Sequence, residues 1–271
     1  MAPDADAHLF LAHDMTEPAR LSLAGGAVAA FTRRSPVKES PNEDSSAVIS
    51  IAPDSGVLVV ADGVGGARAG QQASAIAVEA ICDAVAESPE ARPDSRGAIL
   101  DGVERANRSI LELGIGAATT LAVVEINGDQ IRPYHVGDST ILLVGQRGKV
   151  KLQTIPHSPV GHALEAGVID EHEALNHEER HVVSNIVGTE AMRIEVGPTV
   201  TMAARDTLLL ASDGLADNMT EAEIVEMIRC GRLAKRVQRL ASAVDDRMRN
   251  PSADSRPSKP DDLTILAFRR T

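Results

Sequence analysis

The chain of 271 residues carries 39 acidic against 27 basic side chains, and its formal net charge of −12 argues against a surface that binds nucleic acid or anionic membranes. Aromatic residues are nearly absent (three Phe, one Tyr and no Trp), so the stacking platforms that single-stranded nucleic acid requires are missing as well. The length allows one large core or two modest domains, and that core must be aliphatic.

The cysteine content and the hydropathy pattern favour a cytoplasmic protein. Cys82 and Cys230 are far apart and outside any C-x-x-C pattern, which is typical of reduced thiols. The sequence has no run of roughly 18 apolar residues, the length that a membrane span requires. Residues 1–14 lack the basic segment and the long apolar run of a signal peptide, so we expect no membrane partner.

The first half of the chain predicts strands followed by helices. Residues 1–26 are ambiguous, and we interpret them as an N-terminal extension or an edge strand. Apolar residues between Ala73 and Val85 recur at helical spacing and indicate one buried helix face. The predicted elements are strands at 27–32, 46–52 and 57–61, a turn at 53–56, and helices through 73–85 and about 94–113.

The second half predicts mainly strands, interrupted by one irregular segment. Asn127-Gly128 is a strong hairpin pair, and Gln146-Arg147-Gly148 has the same form. Residues 156–191 hold many acids and five of the eight histidines, and we predict a partly helical insertion there. The predicted strands lie at 119–126, 130–136, 140–144, 149–154, 193–202, 207–211 and 263–268, with a helical pair around 233–248.

The order of these elements predicts a fold class. Strands and helices occur in separate groups, whereas a doubly wound parallel sheet would show them in simple alternation. We therefore predict an α+β layered fold with antiparallel sheets, as one domain at 27–271.

Short acidic runs at strand ends are the most informative feature of the chain. Burying a carboxylate at the end of a strand is costly unless another charge neutralises it. Several carboxylates that converge at strand ends therefore predict a hard-cation site for Mg²⁺ or Mn²⁺. The aspartates concerned are Asp44, Asp62, Asp213 and Asp261.

Each run also has an ordinary structural interpretation when it is taken alone. The glycine-rich segment 62–70 could be a phosphate loop, a metal site or a tight strand–helix turn, although Arg68 stands where a dinucleotide loop needs glycine. Asp213 could be a helix N-cap, Asp261-Asp262 a plain loop, and 137–139 a hairpin turn. Only their combination, in one order, predicts the metal site.

Residues 177–181, His-Glu-Glu-Arg-His, match the zinc-protease pattern. Their flanks are polar and give no buried helix face, and Ser184 and Asn185 stand where the extended pattern needs glycine. We interpret the segment as a solvated surface and keep a zinc peptidase as the third alternative.

The ordered motifs resemble the metal-dependent protein phosphatase 2C family in its compact bacterial (PPM) form, over residues 27–268. The segment 156–191 is similar to the mobile flap of that family and is called the flap below. The motifs are Asn-Glu-Asp-Ser at 42–45, Val-Ala-Asp-Gly-Val-Gly-Gly at 60–66, Ala-Thr-Thr at 118–120, Val-Gly-Asp-Ser at 136–139, Ser-Asp-Gly-Leu at 212–215 and Asp-Asp-Leu-Thr at 261–264.

The resemblance implies a four-layer α-β-β-α sandwich of two antiparallel sheets flanked by helices. It also implies hydrolysis of phosphoserine and phosphothreonine in proteins by a water that two Mn²⁺ or Mg²⁺ ions activate, with a possible third ion. Asp44 and Asp62 would be catalytic through that water. The implied ligands are Asp62 as the bridge, the Gly63 carbonyl, Asp213, Asp261, Asp138 for the third ion, and Asp44 through bound water.

Three positions depart from the pattern of the resembled family. Val64 stands where many eukaryotic members have a histidine that is proposed to protonate the leaving group. Glu39 replaces an arginine that binds substrate phosphate, which leaves Lys38 and Arg34 as candidates, and a lysine lacks the bidentate fork of arginine. Asp262 replaces the usual asparagine and adds negative charge.

The sequence therefore predicts a cytoplasmic Ser/Thr protein phosphatase whose partners are phosphorylated proteins and a Ser/Thr kinase that it opposes. The alternative is a catalytically weak scaffold of the same fold that binds phosphoproteins, and the altered position Glu39 motivates it. Because every predicted metal carboxylate is present, we favour the enzyme.

Overall fold

Two antiparallel β-sheets pack face to face, and helices cover both outer faces. The computed structural model describes residues 6–64, 66–88, 95–250 and 258–270. Elements are numbered below in chain order. The arrangement confirms the predicted α+β class and the four-layer sandwich.

The first sheet is built from strands of both halves of the chain. Its members are β1 (Asp6–Leu11), β4 (Asp44–Ala52), β5 (Ser55–Val64), β6 (Ala118–Thr119), β7 (Leu121–Asn127), β8 (Gln130–Val136), β11 (Glu195–Val196) and β12 (Val200–Thr201). Their order is β1-β4-β5-β7-β8-β11, with β6 also paired to β5 and β12 also paired to β8.

The second sheet joins an N-terminal pair of strands to the C-terminal strands. Its members are β2 (Ala19–Leu23), β3 (Gly26–Arg33), β9 (Thr140–Val144), β10 (Val150–Gln153), β13 (Thr207–Ala211) and β14 (Leu263–Arg270). Their order is β10-β9-β13-β14-β3-β2, so strands that are far apart in sequence are neighbours in space.

The helices lie on the two outer faces and in the flap. They are α1 (Ala67–Glu87), α2 (Arg96–Glu112), α3 (Pro159–Glu165), α4 (Glu171–Leu175), α5 (Asp213–Ala216), α6 (Glu221–Ile228) and α7 (Leu233–Arg249). The start of α6 is fixed by a capping box, in which Thr220 accepts from the Glu223 N–H and Glu223 accepts from the Thr220 N–H.

Three apolar clusters separate the four layers. One lies between the sheets and includes Leu58, Val60 and Leu210, a second packs the first sheet on α1 and α2, and a third packs the second sheet on α5, α6 and α7. Because side chains alternate along a strand, Val57 and Val59 face the helices while Leu58 and Val60 face the other sheet. Burial on both faces explains why the central strands are continuous apolar runs.

The turn chemistry predicted from the sequence is confirmed at the hairpins. The strands β7 and β8 form the hairpin predicted at Asn127-Gly128, although Asn127 pairs with Gln130 and the turn itself is Gly128-Asp129. Gly128 has a φ of 59°, which glycine adopts without strain. The strands β9 and β10 pair across the turn at Gln146-Arg147-Gly148. The N-terminal residues 6–11 and 19–23 are edge strands, one in each sheet. The division into an N-terminal extension at 1–26 and one domain at 27–271 stays a prediction.

The structure corrects several local interpretations of the sequence. The segment 137–139 is no hairpin turn, because β8 and β9 belong to different sheets and the chain crosses between them there. The predicted strand at 193–202 is reduced to two pairs of residues, β11 and β12. Ser212, and not Asp213, is the N-cap residue of α5. The predicted start of α2 at Asp94 lies outside the described residues.

The flap contains two short helices joined by turns. Residues 177–181 lie in turns after α4, so they do not form the helix on which a His-Glu-x-x-His zinc site depends. The zinc-peptidase alternative is therefore wrong. Within the described ranges, no helix combines the length and the apolarity that crossing a membrane requires.

Candidate metal centre

The alternation of β4 and β5 places two predicted site residues side by side. Asp44 and Asp62 are direct partners across the antiparallel pair. Asp62 continues the face of Leu58 and Val60, so both carboxylates lie at one end of the sandwich, on the side that faces the second sheet. The sequence predicted their convergence from the acidic runs at strand ends and from the resemblance, and the strand register supplies the physical reason.

The second sheet brings its own acids to the same end. Asp213 begins α5 immediately after β13, and Asp261 lies just before β14, which pairs with β13. The hydroxyl of Ser212 donates to Asp44 Oδ2 at 2.8 Å and accepts from the Thr264 N–H at 2.9 Å. One serine thus joins the two sheets at the acidic end.

The pKa values show how closely these carboxylates are gathered. Burial raises the pKa of Asp62 well above its usual value, and the negative charges of its neighbours raise it further. The neighbours that act on Asp62, from the strongest, are Asp44, Asp213, Asp261 and Asp138. Every carboxylate that the sequence analysis assigned to the metals therefore lies within electrostatic reach of Asp62.

Asp138 enters the group from the crossover between the sheets. Burial raises its pKa to about 7, and the charges of Asp213 and Asp217 act in the same direction, while Lys259 opposes them. Thr120 and Ser139, whose hydroxyls lie 2.7 Å apart, connect this crossover to the strand end of Asp62, because Thr120 also accepts from the Asp62 N–H.

Unpartnered oxygens point to the kind of ligand this cluster fits. Asp44 Oδ1, Asp213 Oδ1 and Glu43 Oε1 are buried side-chain atoms with no hydrogen-bond partner among the described residues. A buried polar atom without a partner is costly, so such atoms call for an explanation. The donors are all hard oxygens, and a cluster of carboxylate oxygens matches the preference of Mg²⁺ and Mn²⁺. The residues present therefore fit a divalent-cation site.

Two glycines allow the backbone to close around the site. A Cβ atom on Gly63 would lie 2.2 Å from the Gly70 carbonyl oxygen and 2.8 Å from that of Glu43. A Cβ atom on Gly70 would lie 2.4 Å from Glu43 Oε1 and 2.8 Å from the Gly63 carbonyl oxygen. Glycine is thus required at both positions by close packing of α1 on β5. The ligand role of the Gly63 carbonyl stays a prediction.

Two lysines provide the positive charge among these acids. The Nζ atom of Lys259 lies 2.6 Å from Asp213, 2.5 Å from Asp217 and 3.3 Å from Asp261. The Nζ atom of Lys38 lies 3.1 Å from Glu43 and 3.2 Å from both Asp261 and Asp262. Burial opposes the charged form of each lysine, but the carboxylates outweigh it and raise both pKa values.

The phosphate-binding candidates lie in different surroundings. Lys38 is already engaged by three carboxylates, whereas Arg34 donates to the carbonyl of Glu39 in its own loop at 3.2 Å. The structure brings Lys38 to the acidic cluster and leaves Arg34 without a contact to it among the described hydrogen bonds and ion pairs. A phosphate-binding role for either residue stays a prediction.

The structure gives Asp262, the unexpected acid of the sequence, a structural role. Its Oδ1 accepts from the Ser35 N–H at 2.7 Å, and its Oδ2 accepts from the Glu43 N–H at 2.8 Å. Asp262 therefore anchors the loop before β4, and Lys38 balances its charge. The unexpected acid at 262 is thus in contact with Lys38, one of the two phosphate-binding candidates.

The sequence analysis gave no place in the centre to Lys259 or Asp217, and it quoted Ser212 only as part of its motif. Asp217 is four residues after Asp213, a spacing that brings two side chains together on a helix, and this signal was available. Nothing local marks Lys259 as a partner of Asp213 and Asp217, because both acids lie more than 40 residues earlier. Its third partner, Asp261, is only two residues away.

A second cluster of potential ligands lies between β8 and the flap. His135, His157 and Glu195 place ligand atoms within 4.8 Å of one another. However, the Gly137 N–H donates to His157 Nδ1 at 3.1 Å, so in the neutral ring Nε2 carries the proton and donates to Glu195 at 3.1 Å. His157 then has no free lone pair for a metal, and the cluster acts as a hydrogen-bonded junction that holds the flap.

Comparison with known proteins agrees with the architecture. The family model described as protein phosphatase 2C matches residues 34–254. This chain belongs to the protein phosphatase 2C family of serine/threonine phosphatases. The resemblance stated from the motifs is thereby confirmed.

Individual relatives cover most of the chain. The serine/threonine phosphatase stp of Listeria innocua is 32% identical over 200 residues, which are 70% of this chain and 79% of the relative. The solved structure of the Streptococcus agalactiae serine/threonine phosphatase superposes with a TM-score of 0.78 at 27% identity. The match covers 90% of this chain and 99% of the Streptococcus agalactiae chain. The catalytic domain of the phosphatase PstP, in complex with two manganese ions, has a TM-score of 0.68 at 24% identity, over 89% of this chain and 96% of its own.

Proposed function

We propose that this chain hydrolyses phosphoserine and phosphothreonine in proteins, with divalent cations held by the acidic cluster at the end of the sandwich. The observation that carries the proposal is the convergence of Asp44, Asp62 and Asp213, two of which keep a buried oxygen without a partner. A cation would provide the missing partner and offset the mutual repulsion of the carboxylates.

The roles proposed for the residues of the cluster are those that the family resemblance implies. Asp62, on which the charges of the other acids act, would be the bridging ligand. The Gly63 carbonyl, Asp213 and Asp261 would be the other ligands. Asp138 would contribute to a weaker third site. Asp44 is held by Ser212 through Oδ2, so its Oδ1 stays available to accept a hydrogen bond from water. Two bound Mn²⁺ or Mg²⁺ ions would supply the charge that neutralises a phosphoryl group and activates water.

The chemistry requires no protein nucleophile. A phosphomonoester carries its charge on the phosphoryl oxygens, so stabilisation of that charge and positioning of water supply most of the catalysis. The lysines at the edge of the cluster add positive charge on the side of Asp261. We infer that the partners of this protein are phosphorylated proteins and a Ser/Thr kinase that it opposes. No observation favours the scaffold alternative, since the carboxylates of the predicted site are all present.

Turnover and its metal dependence test the proposal directly. We expect hydrolysis of p-nitrophenyl phosphate and of phosphoserine and phosphothreonine peptides with Mn²⁺, and none in chelator. Asp62→Asn and Asp213→Asn should each lower turnover by at least about a hundredfold, since even the loss of outer-shell support costs 10- to 100-fold. Asp101→Asn, an exposed acid of α2, is the matched control and should keep full activity.

The result that would contradict the proposal is turnover that continues in chelator, or that survives the change at Asp62. A preference for phosphotyrosine peptides over the serine and threonine peptides would contradict the substrate class and leave the metal chemistry standing.

A further inference from the structure

Lys259 lies among the acids of the metal centre, although neither cation binding nor the proposed hydrolysis requires a lysine there. Its ammonium group is within 2.6 Å of Asp213 Oδ2 and 2.5 Å of Asp217 Oδ2, and it is 3.3 Å from Asp261 Oδ2. Two of these three acids are proposed metal ligands. The lysine therefore occupies the same carboxylates, those of Asp213 and Asp261, that a divalent cation would use.

The backbone of Lys259 is held in a way that directs its side chain to the acids. Asn218, which is fully buried, accepts from the Lys259 N–H at 2.9 Å and donates to the Lys259 carbonyl at 2.8 Å. The same amide group of Asn218 also donates to the carbonyl of Gly214 at the start of α5. One asparagine thus fixes the base of the lysine relative to the helix that carries Asp213 and Asp217.

The electrostatic effect of Lys259 is concentrated on one side of the centre. Its charge lowers the pKa values of Asp138 and Asp213 against the burial that raises them. Lys38, by contrast, contacts Glu43, Asp261 and Asp262, and it makes no described contact with Asp213 or Asp138. Lys259 is therefore the lysine that faces the predicted third-ion side.

We propose that the ammonium group of Lys259 is a built-in counter-ion that competes with a divalent cation for Asp213 and Asp261, and so sets how many ions this centre holds and how tightly. The inference rests on the proposed metal centre. A divalent ion and an ammonium group cannot share these oxygens at contact distance without strong repulsion, because like charges a few ångströms apart repel in a partly buried site. Ion entry beside Asp138 therefore requires Lys259 to swing away.

Titration calorimetry of Mn²⁺ into chelator-stripped protein tests this competition. The unaltered chain, Lys259→Met and Lys259→Arg are compared, with Lys235→Met, an exposed lysine of α7, as the matched control. We expect Lys259→Met to bind one additional Mn²⁺, or to bind its weakest ion about tenfold more tightly or better. Lys259→Arg keeps the charge and should resemble the unaltered chain, as should Lys235→Met.

A second readout separates competition from a purely structural role. In chelator, Lys259→Met should lower the melting temperature, because the acids lose their counter-ion, and saturating Mn²⁺ should restore it to at least that of the unaltered chain. An isotherm of Lys259→Met that matches the unaltered chain would overturn the inference while leaving the metal centre intact. Absence of Mn²⁺ binding in every variant would overturn the centre itself, and the inference with it.

Discussion

The acidic end of the sandwich and the junction of α6 with α7 both hold carboxylates in or beside the core, yet their pKa values move in opposite directions. At the junction, Arg247 lies 2.5 Å from Glu223, and its hydrogen bonds are the main reason that the pKa of Glu223 falls to about 2. At the acidic end, burial and like charges raise the pKa values of Asp44, Asp62 and Asp138.

The difference shows which buried charges the chain satisfies by itself. The guanidinium of Arg247 is a fixed cation of matching shape, and the Thr220 capping box completes the coordination of Glu223. The acidic end has two flexible lysines for a larger number of carboxylates. The first region thus balances its charge with its own side chains, whereas the second keeps a repulsion between carboxylates that the proposed cations would relieve.

Removal of Arg247, the cation that pairs with Glu223, should give the largest change in stability. Arg247→Met removes the partner of Glu223 and the donor to the Asn218 carbonyl. We expect the free energy of unfolding in chelator to fall by about 2 kcal/mol, less than for a fully buried pair, because the Glu223 side chain is 38% exposed. Urea denaturation measures this loss. The double variant Glu223→Gln/Arg247→Met should recover part of it, and an equal loss in single and double variants would contradict the pairing.

Removal of an acid from the acidic end should raise the free energy of unfolding instead of lowering it. Asp62→Asn abolishes one charge among several like charges, so in chelator we expect the free energy of unfolding to rise by about 1–2 kcal/mol. With saturating Mn²⁺ the order should invert, because the unaltered chain gains binding energy that the variant has lost. A variant that is less stable than the unaltered chain in chelator would show that the acidic end is not repulsive.

The effect on the pH dependence of stability should, per pH unit, be the smallest of the three, but its direction distinguishes the acidic end from the junction of α6 with α7. Asp138 has a folded pKa of about 7, above its value in the unfolded chain, so the folded state binds more protons between about pH 4 and 7. In chelator, stability should therefore fall as the pH rises from about 4 to 7 and level off above that, and Asp138→Asn should flatten this slope by at most about 1.4 kcal/mol per pH unit, the effect of one bound proton.

Glu223 provides the control for that experiment. Its folded pKa of about 2 lies below its usual value, so its contribution is fully present above about pH 4.5 and is lost only as the pH falls towards 2. Glu223→Gln should lower stability at pH 5 to 8 without changing the slope. A slope that responds to Glu223→Gln and not to Asp138→Asn would contradict the comparison.

Local patterns in the sequence determined much of the architecture. The apolar runs of β5 and β13 predicted buried strands, and Asn127-Gly128 predicted a hairpin that the structure confirms, because side-chain alternation and turn chemistry act over a few residues. The order of the acidic motifs identified the family. The apolar runs and the turn depend only on neighbours along the chain.

Only the tertiary structure decided how the acidic end is assembled. The chain crosses between sheets at Gly137-Asp138-Ser139 although the segment has the form of a hairpin turn, since the choice of sheet depends on distant strands. Asp262 holds a loop while Asp261 faces the lysines, and Lys259 reaches Asp213 across more than 40 residues of chain. Contacts between residues so far apart leave no local pattern, because the positions of their backbones are fixed by the packing of whole layers.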